Sequence, residues 1–150
     1  MPILRFPLTT TICFCTPDKT SIDSIKYIFY DYDTTSVGDT NIRLVEGQFN
    51  KFIAEKNGWL FISNVRANKD LTAGSILVRP TKNGSVFGSN SLNVTLDDTD
   101  SQKQATVTPE DANFSFLVGD EIGMIANGNA LSSPNLLNIS VKLTFIYQIT

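Results

Sequence analysis

Cys13 and Cys15 are the chain's two cysteines, and it contains no histidine. On a strand, residues two apart point to the same face, so both thiols would lie together. A bond between residues this close is strained. A tetrahedral zinc site would need further ligands that neither histidine nor a third cysteine can supply. Both thiols therefore read as small buried apolar side chains, and reduced thiols suit synthesis in a reducing cytosol. Without histidine, Ser-His-Asp and Cys-His catalysis are excluded. No phosphate loop, zinc spacing or dinucleotide fingerprint occurs either. No metal and no cofactor are expected.

The remaining route to catalysis is a carboxylate pair of the glycosidase kind. The candidates are Asp31 with Asp33, Asp97 with Asp100, Glu110 with Asp111, and Asp120 with Glu121. Each lies in a polar, turn-like stretch where solvated carboxylates are ordinary, so the chain is read as a non-enzyme with no catalytic residue. Asp97, Asp98 and Asp100 form a ligand or ion loop candidate, because clustered oxygens serve a hard cation, although the spacing is not that of an EF-hand. Tyr27, Tyr30, Tyr32 and Trp59 could stack on sugar rings, but aromatics also dominate cores and interfaces. Tyr27, Phe29, Tyr30 and Tyr32 are taken as interface candidates.

Positioning these residues falls to strands. The C-terminal stretch alternates Leu137, Ile139, Val141, Leu143, Phe145, Tyr147 and Ile149 with mostly polar neighbours, the pattern of a long half-buried strand. Leu92, Val94 and Leu96 alternate likewise before the Asp97–Asp100 loop. Gly58 to Ala67 is a strand with Trp59, Phe61 and Val65 on one side, preceded by an Asn57-Gly58 hairpin turn. Asn83-Gly84 marks a second hairpin, and Pro80 just before it suggests an edge strand or a strand end. Gly119-Asp120 and Asn127-Gly128-Asn129 punctuate a short strand carrying Ile122, Met124 and Ala126. The stretch SIKYIFYDYD is apolar on both faces, as in a central strand or a subunit contact.

Turn signals at this spacing predict an all-β, two-sheet antiparallel β-sandwich of the jelly-roll type, occupying residues 1–150 as one domain. Residues 1–16 read as an extended N-terminal arm or first strand. Charged residues are 18% of the chain, below the usual quarter, which fits a sandwich with Ser, Thr and Asn outside or a subunit that hides surface in an assembly. The net charge is -3 with scattered cations, so no nucleic-acid partner is expected. No apolar run reaches the ~20 residues of a membrane span, and the N-terminus is a poor signal peptide.

From Gly58 onward the cadence resembles β-sandwich modules of bacteriophage and other viral tail, fibre and capsid-associated proteins. The matching residues are Ala73, Gly74 and Ser75; Lys82, Asn83 and Gly84; Gly119, Asp120 and Ile122; and the last strand with Asn135, Leu136, Ile139, Val141, Leu143 and Tyr147. Trimeric globular heads of the complement and tumour-necrosis-factor type share the late Gly-Asp strand. The resemblance implies a virion structural protein, made in the host cytoplasm, that assembles as a homo-oligomer, with a trimer favoured. It would be a minor capsid, decoration or fibre/spike component meeting other virion proteins, with the arm as anchor. The alternative is a carbohydrate- or receptor-binding module for a host glycan or receptor, using the loops Asp97–Gln102 and Asn127–Pro134.

Overall fold

Apolar alternation along β-strands builds both layers of this protein. A computed structural model describes residues 9–15, 26–30 (backbone only), 51–68, 71, 73–97, 100–130 and 138–149. The strands are β1 (Thr9–Cys15), β2 (Lys26–Tyr30), β3 (Lys51–Ile53), β4 (Gly58–Ala67), β5 (Ser75–Lys82), β6 (Ser85–Val86), β7 (Val94–Leu96), β8 (Gln102–Thr106), β9 (Ser115–Phe116), β10 (Glu121–Asn129) and β11 (Ile139–Tyr147).

All pairings are antiparallel. The first sheet runs β1–β11–β4, with β8 and β9 along the far side of β4. In the second, β10 lies between β3 and β5, and β6 and β7 share the outer side of β5. The chain crosses between sheets from β3 to β4, β4 to β5, β7 to β8, β9 to β10 and β10 to β11, which is jelly-roll connectivity. Strand β2 joins the layers. Its Phe29 and Tyr30 pair with β1, while Lys26 to Ile28 pair with β10.

The core lies between the sheets. Strand β11 behaves as its alternation requires: Ile139, Val141, Leu143 and Phe145 are buried, whereas Ser140 and Lys142 are exposed. Burying such a side chain stabilises by about 1.5–3 kcal/mol. Phe145 anchors an aromatic cluster, with ring centroids 5.5 Å from Phe52, 5.6 Å from Phe116 and 5.0 Å from Tyr147. Thr9–Cys15 is an integral strand whose Ile12 and Phe14 enter this core.

Four local expectations need correction. The cysteines do share a face, but it is the outer one: Cys13 is exposed and Cys15 half-buried, because Ile12 and Phe14 take the inward positions. In β4, Phe61 is an extra residue, a bulge between the pairs Leu60–Phe145 and Ile62–Thr144. The bulge shifts the alternation, so Leu60, Ser63, Val65 and Ala67 face inward and Trp59 lies outward. Gly58 makes no hairpin turn. The chain passes there from β3 in one sheet to β4 in the other, and an added Cβ would lie 2.3 Å from the Ile146 carbonyl oxygen. Asn127 to Asn129 continue β10 opposite Leu77, Ile76 and Ser75, so the turn comes later, at Ala130 with φ 53.

Pro80 lies within β5, opposite Met124 of β10. Its carbonyl accepts from Phe87 on the other side of the strand. A residue's N–H and C=O point to the same side of a strand, so the donor that proline lacks would face the gap between β6 and β7, and the ladder to β10 loses nothing.

Candidate functional site

Strand register gathers the loops at two opposite poles. One pole holds Asn57, the Asn83-Gly84 turn, the segment Leu117–Asp120 and the end of β11. The other holds Asn68, the Asp97–Ser101 loop, the end of β10 and Asn138.

At the first pole, Asn83 (φ 51) and Gly84 (φ 82) form the hairpin predicted from sequence. Asn83 also reaches across sequence. Its Nδ2 donates to Asp120 Oδ1 at 2.8 Å, and its Oδ1 accepts from the Glu121 backbone N–H at 2.9 Å. Asp120 Oδ2 accepts from the Leu117 N–H at 2.8 Å, and Asn57 Oδ1 accepts from the Val118 N–H at 2.8 Å. These bonds hold the Asp120 carboxyl below its ordinary pKa, first through the Leu117 N–H and then through the Asn83 amide. The product is a tightly tied turn that presents apolar side chains: Leu117 is 61% and Val118 64% exposed. Among the described residues, every large exposed hydrophobic lies at this pole, the others being Ile53, Val86 and Ile149.

The second pole carries the Asp97–Asp100 loop. The Lys103 ammonium lies 3.2 Å from Asp97 Oδ1 and 2.6 Å from Asp100 Oδ2. The lysine pKa is raised, by Asp100 first and Asp97 second. The position expected for a hard cation is thus taken by the chain's own ammonium. Asp98 lies outside the described residues. Of the two loops named as a binding site, Asp97–Gln102 and Asn127–Pro134, the described strand ends Gln102 and Asn129 lie at this pole, in different sheets.

The other predicted site residues divide similarly. The Tyr27, Phe29 and Tyr30 backbones lie in β2, with side chains not described, and Tyr32, Asp31 and Asp33 lie outside the described residues. Asp111 Oδ1 accepts from the Asn113 N–H and so caps the short 3-10 turn Ala112–Phe114. Glu121 pairs with Lys51.

Sequence reasoning missed the outer face of the first sheet. Register places Thr11, Thr144, Ile62 and Thr106 in one cross-strand row, and Cys13, Lys142, Asn64 and Gln104 in the next. Cys15, Ser140, Arg66 and Gln102 form a third. Asn64 Nδ2 donates to Gln104 Oε1 at 3.0 Å, and its Oδ1 accepts from Gln102 Nε2 at 3.3 Å. A shallow groove of about 320 Å³ runs over this face. Amides and hydroxyls line it with Ile62, Arg66 and Lys142, and among the described residues no carboxylate does. The signal was available: the polar partners in the β4, β8 and β11 alternation are the groove.

No family model and no curated protein matches the chain. Among solved structures it is similar to the globular domain of zebrafish complement 1qA protein, at 10% identity and a TM-score of 0.48 over 95% of this chain and 100% of that one. That likeness carries no argument about activity or partners. The class defined by the strands themselves is a two-sheet antiparallel β-sandwich with jelly-roll connectivity.

Proposed function

We propose that this chain is a non-enzymatic structural subunit of a virion, a minor capsid, decoration or fibre/spike component that works as a homotrimer. One observation supports assembly above all: among the described residues the large exposed apolar side chains lie at one pole, with Leu117 and Val118 on a turn fixed by Asp120, Asn83 and Asn57. Gathered apolar surface of this kind marks a contact site. The viral setting rests on the cadence of hairpin, Gly-Asp strand and final strand. Light scattering coupled to size exclusion tests the reading. A trimer is expected for the native chain, and Leu117→Ser with Val118→Ser is expected to give monomers with an unchanged Tm. A native chain that stays monomeric at every concentration would overturn it.

The second reading is a module that recognises a carbohydrate or host receptor. It is favoured by the polar groove on the first sheet, which lies away from the apolar pole and would stay open in an end-on assembly.

A further inference from the structure

We infer that the outer face of the first sheet binds an anionic oligosaccharide, with Arg66 and Lys142 taking its carboxylate or sulfate groups. The inference rests on the recognition reading above and narrows it to a ligand class.

Three features of the face lead there. The groove crosses the middle of a sheet whose strands β1, β11, β4 and β8 are already paired to one another. A peptide strand therefore finds no open ladder in it, and recognition must come from side chains. Those side chains are hydroxyls and amides, which donate and accept as sugar hydroxyls do. Neighbouring strands space them at ~4.8 Å, near the length of one pyranose ring. Trp59 lies on the same outer face of β4, half-buried beside Ile146. It stands outside the groove lining, in the next row on that face, and offers an aromatic surface that an extended sugar chain can reach.

Charge narrows the class. The chain as a whole is acidic, at -3, yet among the described residues the groove lining holds two cations and no anion. Arg66 pairs in register with Ser140 and Lys142 with Asn64, so the cations are diagonal neighbours on adjacent strands. Both line the groove, and among the described residues no carboxylate lines it with them. A guanidinium fork binds a carboxylate or sulfate through two parallel hydrogen bonds, and the ammonium adds a second point of attachment. Two cations over a short groove suit a short charged sugar better than the long phosphate track of a nucleic acid.

The test is calorimetric titration of the full chain with four probes: a sulfated heparin-derived hexasaccharide, an oligogalacturonate hexamer, neutral cellohexaose and a polyglutamate peptide. Binding of at least one charged sugar is expected, weakening with salt. Arg66→Gln with Lys142→Gln should lose tenfold or more in affinity while Tm and solution mass stay unchanged. Which charged sugar binds separates sulfate from carboxylate recognition. If cellohexaose binds as tightly as the charged sugars and the double variant binds unchanged, the anionic assignment falls and the carbohydrate reading stands. If a polyglutamate peptide binds as tightly as either charged sugar, the oligosaccharide assignment falls. If no sugar binds at all, the inference and the carbohydrate reading fall together.

Discussion

Each pole of the sandwich is organised by aspartates, and the two use them in opposite ways. Asp120 spends its acceptors on the Leu117 N–H of its own turn and the Asn83 amide of the neighbouring hairpin, and the Leu117 and Val118 side chains face solvent. Asp97 and Asp100 instead converge on Lys103, whose ammonium offsets part of their charge. One loop uses its polar atoms to display apolar surface. The other uses them to cancel charge. A cluster of acids in a sequence is therefore a weaker pointer to a site than a single acid that braces a turn.

The difference can be broken hardest at Gly58, beneath the apolar pole. A Cβ there would meet the Ile146 oxygen at 2.3 Å and the Phe116 ring at 2.8 Å. Gly58→Ala is expected to cost about 3 kcal/mol or more, because close-packed backbone has little room to move. Chemical denaturation measures it. The contrast is Gly119→Ala in the displayed turn, where φ is +89 and no atom lies within 4 Å of the added Cβ. The cost there is conformational alone, about 1–2 kcal/mol.

Removing the brace has the next largest effect. Asp120→Ala is expected to cost about 1–2 kcal/mol and to speed hydrogen exchange at the Leu117 amide. The same bond sets a pH dependence. Because the folded pKa lies below the unfolded value of 3.8, the stabilisation is fully present above that value. It is lost as pH falls through the lower folded value. Near neutrality the Asp120 contribution should therefore be complete and independent of pH, and a loss should appear only in acid and vanish in Asp120→Ala.

The smallest effect belongs to the other pole. Lys103→Met removes an exposed ammonium from two exposed or half-exposed carboxylates, and such pairs contribute little and are screened by salt. Its Tm should fall by less than that of Asp120→Ala, and the difference should close at high salt. Calcium should leave the native Tm unchanged. A calcium-dependent rise would mean that a divalent ion displaces Lys103, and the contrast between the poles would disappear.

Much of the framework was legible because it follows from period two and turn chemistry. The β11 alternation and the inward Val94 and Leu96 follow from side-chain geometry on a strand, and the Asn83-Gly84 turn from its backbone needs, whereas Leu92 is buried from a short 3-10 turn, Asn90–Leu92. The Trp59 face was not legible. A bulge at Phe61 reverses the alternation, and nothing in GWLFISNVRA marks which residue is extra. The Asn57-Gly58 pair looks like a hairpin in sequence, but β3 and β4 belong to different sheets, a long-range fact. Cys13 and Cys15 were misplaced because their apolar character was weighed without Ile12 and Phe14, larger side chains at the alternate positions. Of the sites, Lys103 closing the aspartate loop needed the β7–β8 connection to fold back on itself. The groove needed the strand order, which places β1, β11, β4 and β8 side by side although they are far apart in the chain.

Strand β2, which pairs with both layers, has a consequence for how copies of this chain can meet. Along that flank the sheets share a strand, so no bare rim is left there for a foreign strand to extend. Among the described residues the remaining rims are β8, which carries Lys103 at its second position, and the two- or three-residue strands β3, β6, β7 and β9. Short or charged rims resist fibril-like growth by strand addition. A protein built this way can be crowded at high local concentration and still be left with end-on contact, pole to neighbour, as its open route to association.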